Sequence, residues 1–325
     1  MHTILKCAAA LALSAGCLAA VQAQSSAFPS PRAVKIVAPF APGGSGDTLA
    51  RLLAEKLALV WQTPAIVENR QGGSAVVATQ MIATSPADGH TLLVSASNFT
   101  INPHLLSKLP YDSASDFAPV TLLATNPHIL IVNPAVPAGN LKEFIAWAKA
   151  KKGSGTYASF GIGSSGHLGF ERFKHATGID MVHVPYKGAA PAISDLMSGQ
   201  VDAMFCDTQQ VIQFLSSGKI RPIASASQAR TKTLPDVPTF TEGGVPDFVS
   251  TSWFGLIARA GTPPDVLAEI NRGVVGVLNQ SEVKARLYAM GIDAVGSSQK
   301  DFDAFLKKNA KEYGDIIQSA GIKAD

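Results

Sequence analysis

Cysteine, charge and long apolar runs are all scarce in this 325-residue chain, and each scarcity excludes a class of protein. Charged residues make up 16% and leave a net charge of +3, too small and too evenly spread for a nucleic-acid-binding surface. Beyond the first 23 residues no apolar stretch approaches the ~20 residues of a membrane span. Apolar residues still make up 46%, so the sequence predicts a globular protein with a buried core. At ~150 residues per domain, the length indicates roughly two domains.

The first 23 residues are typical of a secretory signal peptide. Lys6 supplies a positive charge, residues 7–20 are mostly apolar, and small residues precede a cleavage site after Ala23. A lipoprotein signal ending at Cys17 is an alternative, since the preceding glycine fits but a serine three positions before the cysteine is unusual. We therefore expect export to the periplasm.

Only one cysteine lies beyond the predicted signal peptide. It is Cys206, so no internal disulfide is possible in the mature chain, although export would permit one. The core must then be held by packing alone. Cys206 ends an apolar run, which predicts a packed core residue rather than a nucleophile.

Short apolar runs alternate with helical patterns in two successive series, which predicts an α/β fold with parallel strands and crossover helices. The first series has strands at 34–38, 65–67 and 91–95 and helices at 48–60 and 74–85. The second has strands at 129–132, 156–159, 181–184, 201–205 and 222–226 and helices at 141–151, 168–177, 189–198 and 209–216. A strand at 253–258, a helix opening near residue 262 and a last helix at 302–319 follow. We expect two α/β lobes, each with its own sheet; periodicity leaves open which lobe receives the C-terminal helices.

Two glycine-rich turns, at residues 39–47 and 159–167, each link a predicted strand to a predicted helix. Glycine permits tight turns and close approach of a ligand, and the helix that follows directs unpaired N–H groups at an anion. Neither turn contains Lys or Arg, which favours a small carboxylate over a phosphate. The alternative is a pair of ordinary β–α turns.

The second turn also satisfies the dinucleotide fingerprint G-x-G-x-x-G through Gly161, Gly163 and Gly166. That fingerprint requires an acidic residue at the end of the next strand, where this chain has residues 184–187 without one. Other catalytic motifs fail as well: the chain has no G-x-S-x-G elbow, no P-loop and no H-E-x-x-H, and its histidines form no metal-ligating cluster. We expect neither a cofactor nor a metal. His167, beside the second turn, is the one histidine with an expected role at the site.

Several ordered motifs carry a family resemblance. They are residues 37–44 with Asp47, residues 67–70 with 72–73, residues 86–89, residues 159–167 with Glu171 and Phe173, and residues 184–188 with 199–202. On these motifs the mature chain resembles the substrate-binding components of the tripartite tricarboxylate transporters, the Bug or TctC-type receptors. The resemblance implies a two-lobed periplasmic-binding-protein (Venus flytrap) architecture, each lobe a central sheet flanked by helices. It places lobe 1 at 27–126 plus 253–325 and lobe 2 at 127–252.

The resemblance also implies a cleft in which both turns hold a ligand carboxylate. The ligand-binding residues would be Phe40, Ala41, Gly43, Gly44, Asn98, Ser159, Gly161, Ser164, Ser165, His167 and Asp207. Ala41 stands where relatives often have Pro, and Asn98 follows the third strand where many have a Gly-bearing turn. Asp207 would face the distal end of the ligand, or alternatively cap the next helix.

The function expected from this reading is reversible binding by lobe closure. The partners would be a small carboxylate (a di- or tricarboxylate, an acidic amino acid or an aromatic acid) and a membrane permease or a sensor. We expect a monomer that binds no nucleic acid and is not an enzyme. The alternative is an exported hydrolase or oxidoreductase using the Gly161–His167 turn, with Ser164 or Ser165 as the nucleophile beside His167.

Overall fold

The computed structural model describes residues 28–40, 42 and 45–324. The predicted signal peptide and three predicted ligand-binding residues, Ala41, Gly43 and Gly44, lie outside the described residues. In the part of the chain that is described, every helix is too short or too polar to cross a membrane.

The elements alternate between strands and helices along most of the chain. The strands are β1 (Val34–Ala38), β2 (Ala65–Asn69), β3 (Thr91–Ala96), β4 (Phe117–Val132), β5 (Thr156–Ser159), β6 (Val182–Pro185), β7 (Ala203–Asp207), β8 (Arg221–Ser225), β9 (Thr251–Arg259) and β10 (Asp293–Ala294). The α-helices are α1 (Ser45–Trp61), α2 (Val76–Ala83), α3 (Asn98–Leu105), α4 (Leu141–Ala150), α5 (Ser165–Thr177), α6 (Ala189–Ser198), α7 (Thr208–Leu215), α8 (Pro264–Leu278), α9 (Ser281–Ala289) and α10 (Gln299–Ser319). The mixed α/β class predicted from the sequence is confirmed.

Each predicted series forms a parallel set of strands, but the two sets are joined. In the first, β1 lies between β2 and β3, and β9 adds to β3 in the antiparallel sense. In the second, β5 lies between β6 and β7. Strand β4 belongs to both, because residues 117–127 pair with β9 and residues 128–132 pair with β7 and β8.

The two predicted sheets are joined through β4, so the ten strands form one continuous hydrogen-bonded set. The sequence pattern predicted only the apolar end of β4, residues 129–132. The earlier part contains Pro119, Asn126 and Pro127, which weaken a strand pattern. The partner of β4 changes between residues 127 and 128, and the lobe boundaries themselves stay a prediction.

Apolar cores cover both faces of each half of the sheet. Adjacent residues of one strand enter different cores: Ile36 packs with α1 and α8, whereas Val37 packs with Trp253 and the start of α10. In the second half, Phe205 and Met204 of β7 divide between two cores in the same way.

The C-terminal helices pack mainly on the first half of the sheet. Helix α8 contributes to the core around α1, and Phe302 of α10 packs against Trp253. The far end of α10, with Tyr313 and Ile316, also packs against Ile101 of α3 and Leu168 of α5. This last helix therefore contacts elements of both series.

Two local predictions need correction. The helix predicted from residue 74 begins at Val76, because Ser74 and Ala75 adopt positive φ values of 53° and 73° within a short 3-10 turn, Gly73–Ala75. Helices α3 and α9 and strand β10 were not predicted. Pro103 lies inside α3 and breaks its helical signal.

Candidate functional site

The predicted site residues gather where parallel strands end. Because β1 and β3 are parallel neighbours, the described part of the first glycine-rich turn and Asn98, the half-buried first residue of α3, both follow the carboxyl ends of neighbouring strands. Because β5 and β7 are parallel neighbours, the second turn and Asp207 lie together at the carboxyl ends of these strands, in the second half of the sheet. The carboxyl ends of strands are where open α/β sheets bind ligands.

The described part of the first turn is held by packing and by a buried carboxylate. The Phe40 ring packs edge-to-face on Phe254 of β9, with 5.7 Å between centroids. Asn69 donates through Nδ2 to Asp47 Oδ1 (2.7 Å) and to the Phe40 carbonyl oxygen (3.2 Å). Arg51 donates to the other Asp47 oxygen at 2.9 Å. The guanidinium of Arg51 is therefore hydrogen-bonded to Asp47.

The start of α1 is also linked to the second half of the sheet. Gln209, in the first turn of α7, donates through its side-chain amide to Ser45 Oγ. The two halves also come close at Gly163 of the second turn, where an added Cβ would collide with the side chain of Leu105 of α3. The two halves thus meet at residues adjoining both turns.

Hydrogen bonds within the second turn occupy several of its N–H groups. Gly161 N–H donates to Ser159 Oγ (3.2 Å), Gly163 N–H donates to His167 Nδ1 (3.0 Å), and His167 N–H donates to Ser164 Oγ (3.4 Å). Ser164 is the N-cap of α5. The N–H groups of Ser165 and the next residue, in the first turn of α5, have no carbonyl acceptor within the helix.

Gly166 allows α5 to approach β7 closely. A Cβ added there would lie 2.8 Å from the Phe205 carbonyl oxygen and 2.7 Å from Phe160 Cε1. Only glycine fits that spacing without a shift of backbone. The third glycine of the motif therefore has the helix–strand packing role that such a position commonly has.

His167 is buried and neutral. Its ring stacks on His183 with 3.8 Å between centroids, and His183 Nε2 lies 2.7 Å from Ser159 Oγ. Burial, together with the neighbouring His183 and Lys174, lowers the pKa of His167 to about 3. Burial likewise lowers the pKa of His183 to about 4. With Nδ1 accepting a backbone hydrogen bond, the neutral His167 ring carries its proton on Nε2.

A second polar cluster lies where β4 crosses from one half of the sheet to the other. His128 Nε2 lies 3.3 Å from both Ser165 Oγ and Ser252 Oγ, and its Nδ1 lies 2.9 Å from Ser250 Oγ. Ser252 Oγ donates to Asp207 Oδ1. His128 is fully buried, and this burial, with the charge of Arg172, lowers its pKa to about 3.

Asp207 is buried at the end of β7, and it is also the N-cap residue of α7. Its backbone N–H donates to Gln210 Oε1 at 3.3 Å. Burial raises the pKa of its carboxyl to about 7, while the Ser252 hydrogen bond opposes the rise. The structure therefore places Asp207 in a cap position and beside Ser252 and His128; its contact with a ligand stays a prediction.

Sequence reasoning missed the residues that surround Asp207 and Ser165. His128 was expected to be a structural histidine, and Ser252 and Gln209 carried no motif. They come together through strand pairing across more than 75 residues, which local patterns do not reveal. The expected role of each predicted ligand-binding residue stays a prediction.

Two features bear on other chemistry. Cys206 is fully buried in β7, as expected for a packed core residue. Within residues 28–40, 42 and 45–324, no group of three or more His, Cys, Asp or Glu side chains is placed to hold a metal ion.

Comparisons with known proteins agree on one family. The model of the family described as "Tripartite tricarboxylate transporter family receptor" matches residues 49–322. Protein BugT of Bordetella pertussis is 33% identical over 312 residues, covering 95% of each chain.

Solved structures are similar over most of their length. Rpa4515 of R. palustris, solved with adipate, aligns with a TM-score of 0.80 at 32% identity, covering 91% of this chain and 99% of that one. MatC of Rhodopseudomonas palustris, solved with bound malate, aligns with a TM-score of 0.75 at 31% identity, covering 89% and 100%.

Proposed function

Because this chain belongs to the tripartite tricarboxylate transporter receptor family, we propose that it is a periplasmic solute-binding protein for a small carboxylate. The signal peptide predicted at residues 1–23 would direct it there. The ligand would be held between two lobes and passed to a membrane permease, with the receptor acting as a monomer. The alternative partner is a sensor protein, which would bind the same closed receptor–ligand complex.

The observation that supports the proposal most directly is the pair of unpaired backbone N–H groups at the start of α5. Two first-turn amides, of Ser165 and Gly166, have no acceptor in the helix, while the rest of the turn is fixed by its own hydrogen bonds. A helix N-terminus with free N–H groups and a positive dipole end favours an anion. The Ser165 hydroxyl adds a further donor beside them.

Closure would follow from contacts on both sides. The first turn and the second turn belong to different halves of the sheet, and a ligand touching both stabilises only the closed arrangement. The adipate and malate complexes of the two similar proteins support a dicarboxylate as the ligand class. Backbone amides and hydroxyls suit reversible capture, because they form no covalent bond.

The geometry disfavours the hydrolase alternative. His167 Nδ1 accepts from Gly163, so the ring does not face Ser164 or Ser165 through that atom. Ser165 does lie near His128, but Nδ1 of that ring faces Ser250 where a triad has an orienting carboxylate. A histidine with a pKa near 3 is also a weak general base at neutral pH.

A matched pair of variants tests the role of the α5 amides. Ser165 occupies the first helical position, and Ser164 before it has extended backbone (φ −67°, ψ 157°), so proline is accommodated at 165. Ser165→Ala removes the hydroxyl and keeps the N–H, whereas Ser165→Pro removes both. We expect Ser165→Pro to bind the ligand about 10- to 100-fold more weakly than Ser165→Ala, as for loss of a hydrogen bond to a charged group.

The measurement is a thermal-shift screen of mono-, di- and tricarboxylates, acidic amino acids and aromatic acids, followed by calorimetry on the best ligand. Equal affinities of the two variants would exclude the α5 amides from the binding site. If no acid raises the unfolding temperature of the wild type while an ester or NAD is turned over, the protein is an enzyme and the proposal is wrong.

A further inference from the structure

One buried side chain in the middle of the molecule has nothing to bond. Asn126 of β4 is 0% exposed, and neither its Oδ1 nor its Nδ2 has a hydrogen-bond partner among the described residues. Buried amides are almost always paired, because an unpaired one loses its bonds to water without replacement. The unpaired amide of Asn126 therefore indicates a hydrogen-bond partner that is not part of the folded chain.

Strand pairing shows where this amide lies. Asn126 pairs with Ser252 of β9, and His128, two residues further along β4, pairs with Asp207 of β7. Paired residues and residues two apart share one face of a sheet. Asn126, His128, Asp207 and Ser252 therefore form one polar patch, the crossover face.

Both predicted ligand-binding turns border the crossover face. Phe254, two residues after Ser252, is on the same side of β9, and the Phe40 ring of the first turn packs on it. From the second turn, Ser165 Oγ lies within 3.4 Å of Ser252 Oγ. The crossover face thus lies between the two turns.

The other three side chains of the crossover face, those of His128, Asp207 and Ser252, are already paired. Asp207 accepts from Ser252, and His128 has serine hydroxyls at both ring nitrogens. Asn133, just beyond the end of β4, is buried like Asn126, but its Nδ2 donates to Leu196 O (2.7 Å) and its Oδ1 accepts from Ala135 N–H (2.9 Å). Asn126 is therefore not held by the kind of bonds that a structural asparagine makes.

We propose that Asn126 determines ligand specificity by binding the end of the ligand opposite the carboxylate held at α5. An unpaired amide offers one acceptor and two donors, which match a second carboxyl, a hydroxyl or an amide but not a methyl group. The site then selects acids with a polar group at the far end, dicarboxylates above all, over monocarboxylates of equal length. This inference rests on the proposed function.

The nearby Asp207 is compatible with such a ligand. Burial raises the pKa of its carboxyl to about 7, so a proton is held there over part of the range in which dicarboxylates are fully ionised. A protonated Asp207 does not repel an anionic far end.

The test uses acid pairs that differ only at the far end: succinate with butyrate, and adipate with hexanoate. Affinities are measured by calorimetry, with displacement titrations for weak binders, for the wild type, Asn126→Leu and Asn126→Ala. We expect the wild type to prefer at least one diacid over its monoacid. Both variants should bind that diacid about 10- to 100-fold more weakly and leave affinity for the monoacid unchanged.

Asn133→Ala is the matched control, because it removes a buried amide that is fully paired. It should lower the unfolding temperature and keep the diacid preference, whereas Asn126→Ala should lower the diacid preference with a smaller effect on unfolding. Asn126→Ala also serves if the bulkier Leu variant does not fold.

Several results would overturn the inference. They are an equal loss of diacid and monoacid binding, no loss of either, and a wild type that binds carboxylates without preferring any diacid to its monoacid partner. In each of these cases the wild type still binds an acid and the proposed function stands. Absence of binding to every acid in the screen removes the proposed function itself, and this inference with it.

Discussion

Asparagine in place of Asp207 should remove a large pH dependence of stability. The carboxyl has a pKa of about 7 in the folded protein, against 3.8 for a free aspartate side chain, because burial disfavours its charged form. The folded state therefore holds a proton that the unfolded state releases between about pH 4 and pH 7. Over that interval the contribution of this carboxyl to the stability of the wild type falls as the pH rises, while Asp207→Asn has no carboxyl to ionise at this position.

The size of the effect follows from the difference in pKa. About three pH units at ~1.4 kcal/mol per unit give about 4 kcal/mol at pH 8, relative to pH 4. In the variant one oxygen can still accept from Ser252, while the other is replaced by an NH2 group; this exchange costs about 1 kcal/mol and does not vary with pH. The variant should thus be slightly less stable than the wild type at pH 4 and more stable at pH 8.

The assay is urea unfolding of the ligand-free mature protein, followed by tryptophan fluorescence at half-unit steps from pH 4 to pH 8.5. Asp236→Asn, at an exposed position, is the control and should run parallel to the wild type at every pH. If the Asp207→Asn curve is also parallel to the wild type, burial does not control the ionisation of Asp207 and the reasoning fails.

Three further predictions concern the same region. Gly166→Ala should destabilise the fold by about 1–3 kcal/mol in urea unfolding, because the new Cβ would lie 2.8 Å from the Phe205 carbonyl oxygen; a neutral result would show that α5 can move away from β7. His128 and His167, each with a pKa of about 3, are protonated in the unfolded chain below pH ~6.5 but not in the fold. The free energy of unfolding that each histidine contributes is therefore complete above pH ~6.5 and should fall by ~1.4 kcal/mol per pH unit as the pH drops toward 3. Urea unfolding of the Asp207→Asn variant measures this slope without the opposing effect of the Asp207 carboxyl. A free energy of unfolding that does not change with pH would contradict the prediction. Cys206, buried and with its pKa raised by burial, should react with a thiol reagent only in denaturant, and fast labelling of the native protein would contradict its placement.

Periodic patterns predicted most elements of the fold because their packing is local. Leu49, Leu53 and Leu57 recur at helical spacing, and all three are buried in one core. The same reasoning failed for the first part of β4, where Asn126 and Pro127 suit neither a helix nor a buried strand. Those residues are in the sheet because Ser252 and Thr251 of β9 pair with them from 126 and 124 residues away in sequence, and no short window of sequence contains that pairing.

The position of the two candidate turns at the ends of strands was predictable from the sequence, whereas the contacts within them were not. The two strand–glycine–helix segments indicated where a ligand would approach, and the sheet places them at the carboxyl edges of β1 and β5. The sequence did not reveal that Gly161 and Gly163 use their N–H groups inside the turn, since that depends on the side-chain directions of Ser159 and His167. Nor did it reveal His128, which reaches Ser165 only after β4 pairs with β7.

The continuity of β4 limits how the molecule can open. A chain that crosses between halves in a paired strand cannot swing as freely as one that crosses in a coil, because β4 pairs with β9 up to residue 127 and with β7 from residue 128. In the proposed opening of the lobes, bending and twisting of β4 would restrict the open form to a narrow range of angles. The empty receptor would then stay close to the geometry it needs, and less conformational entropy would be lost when a ligand arrives.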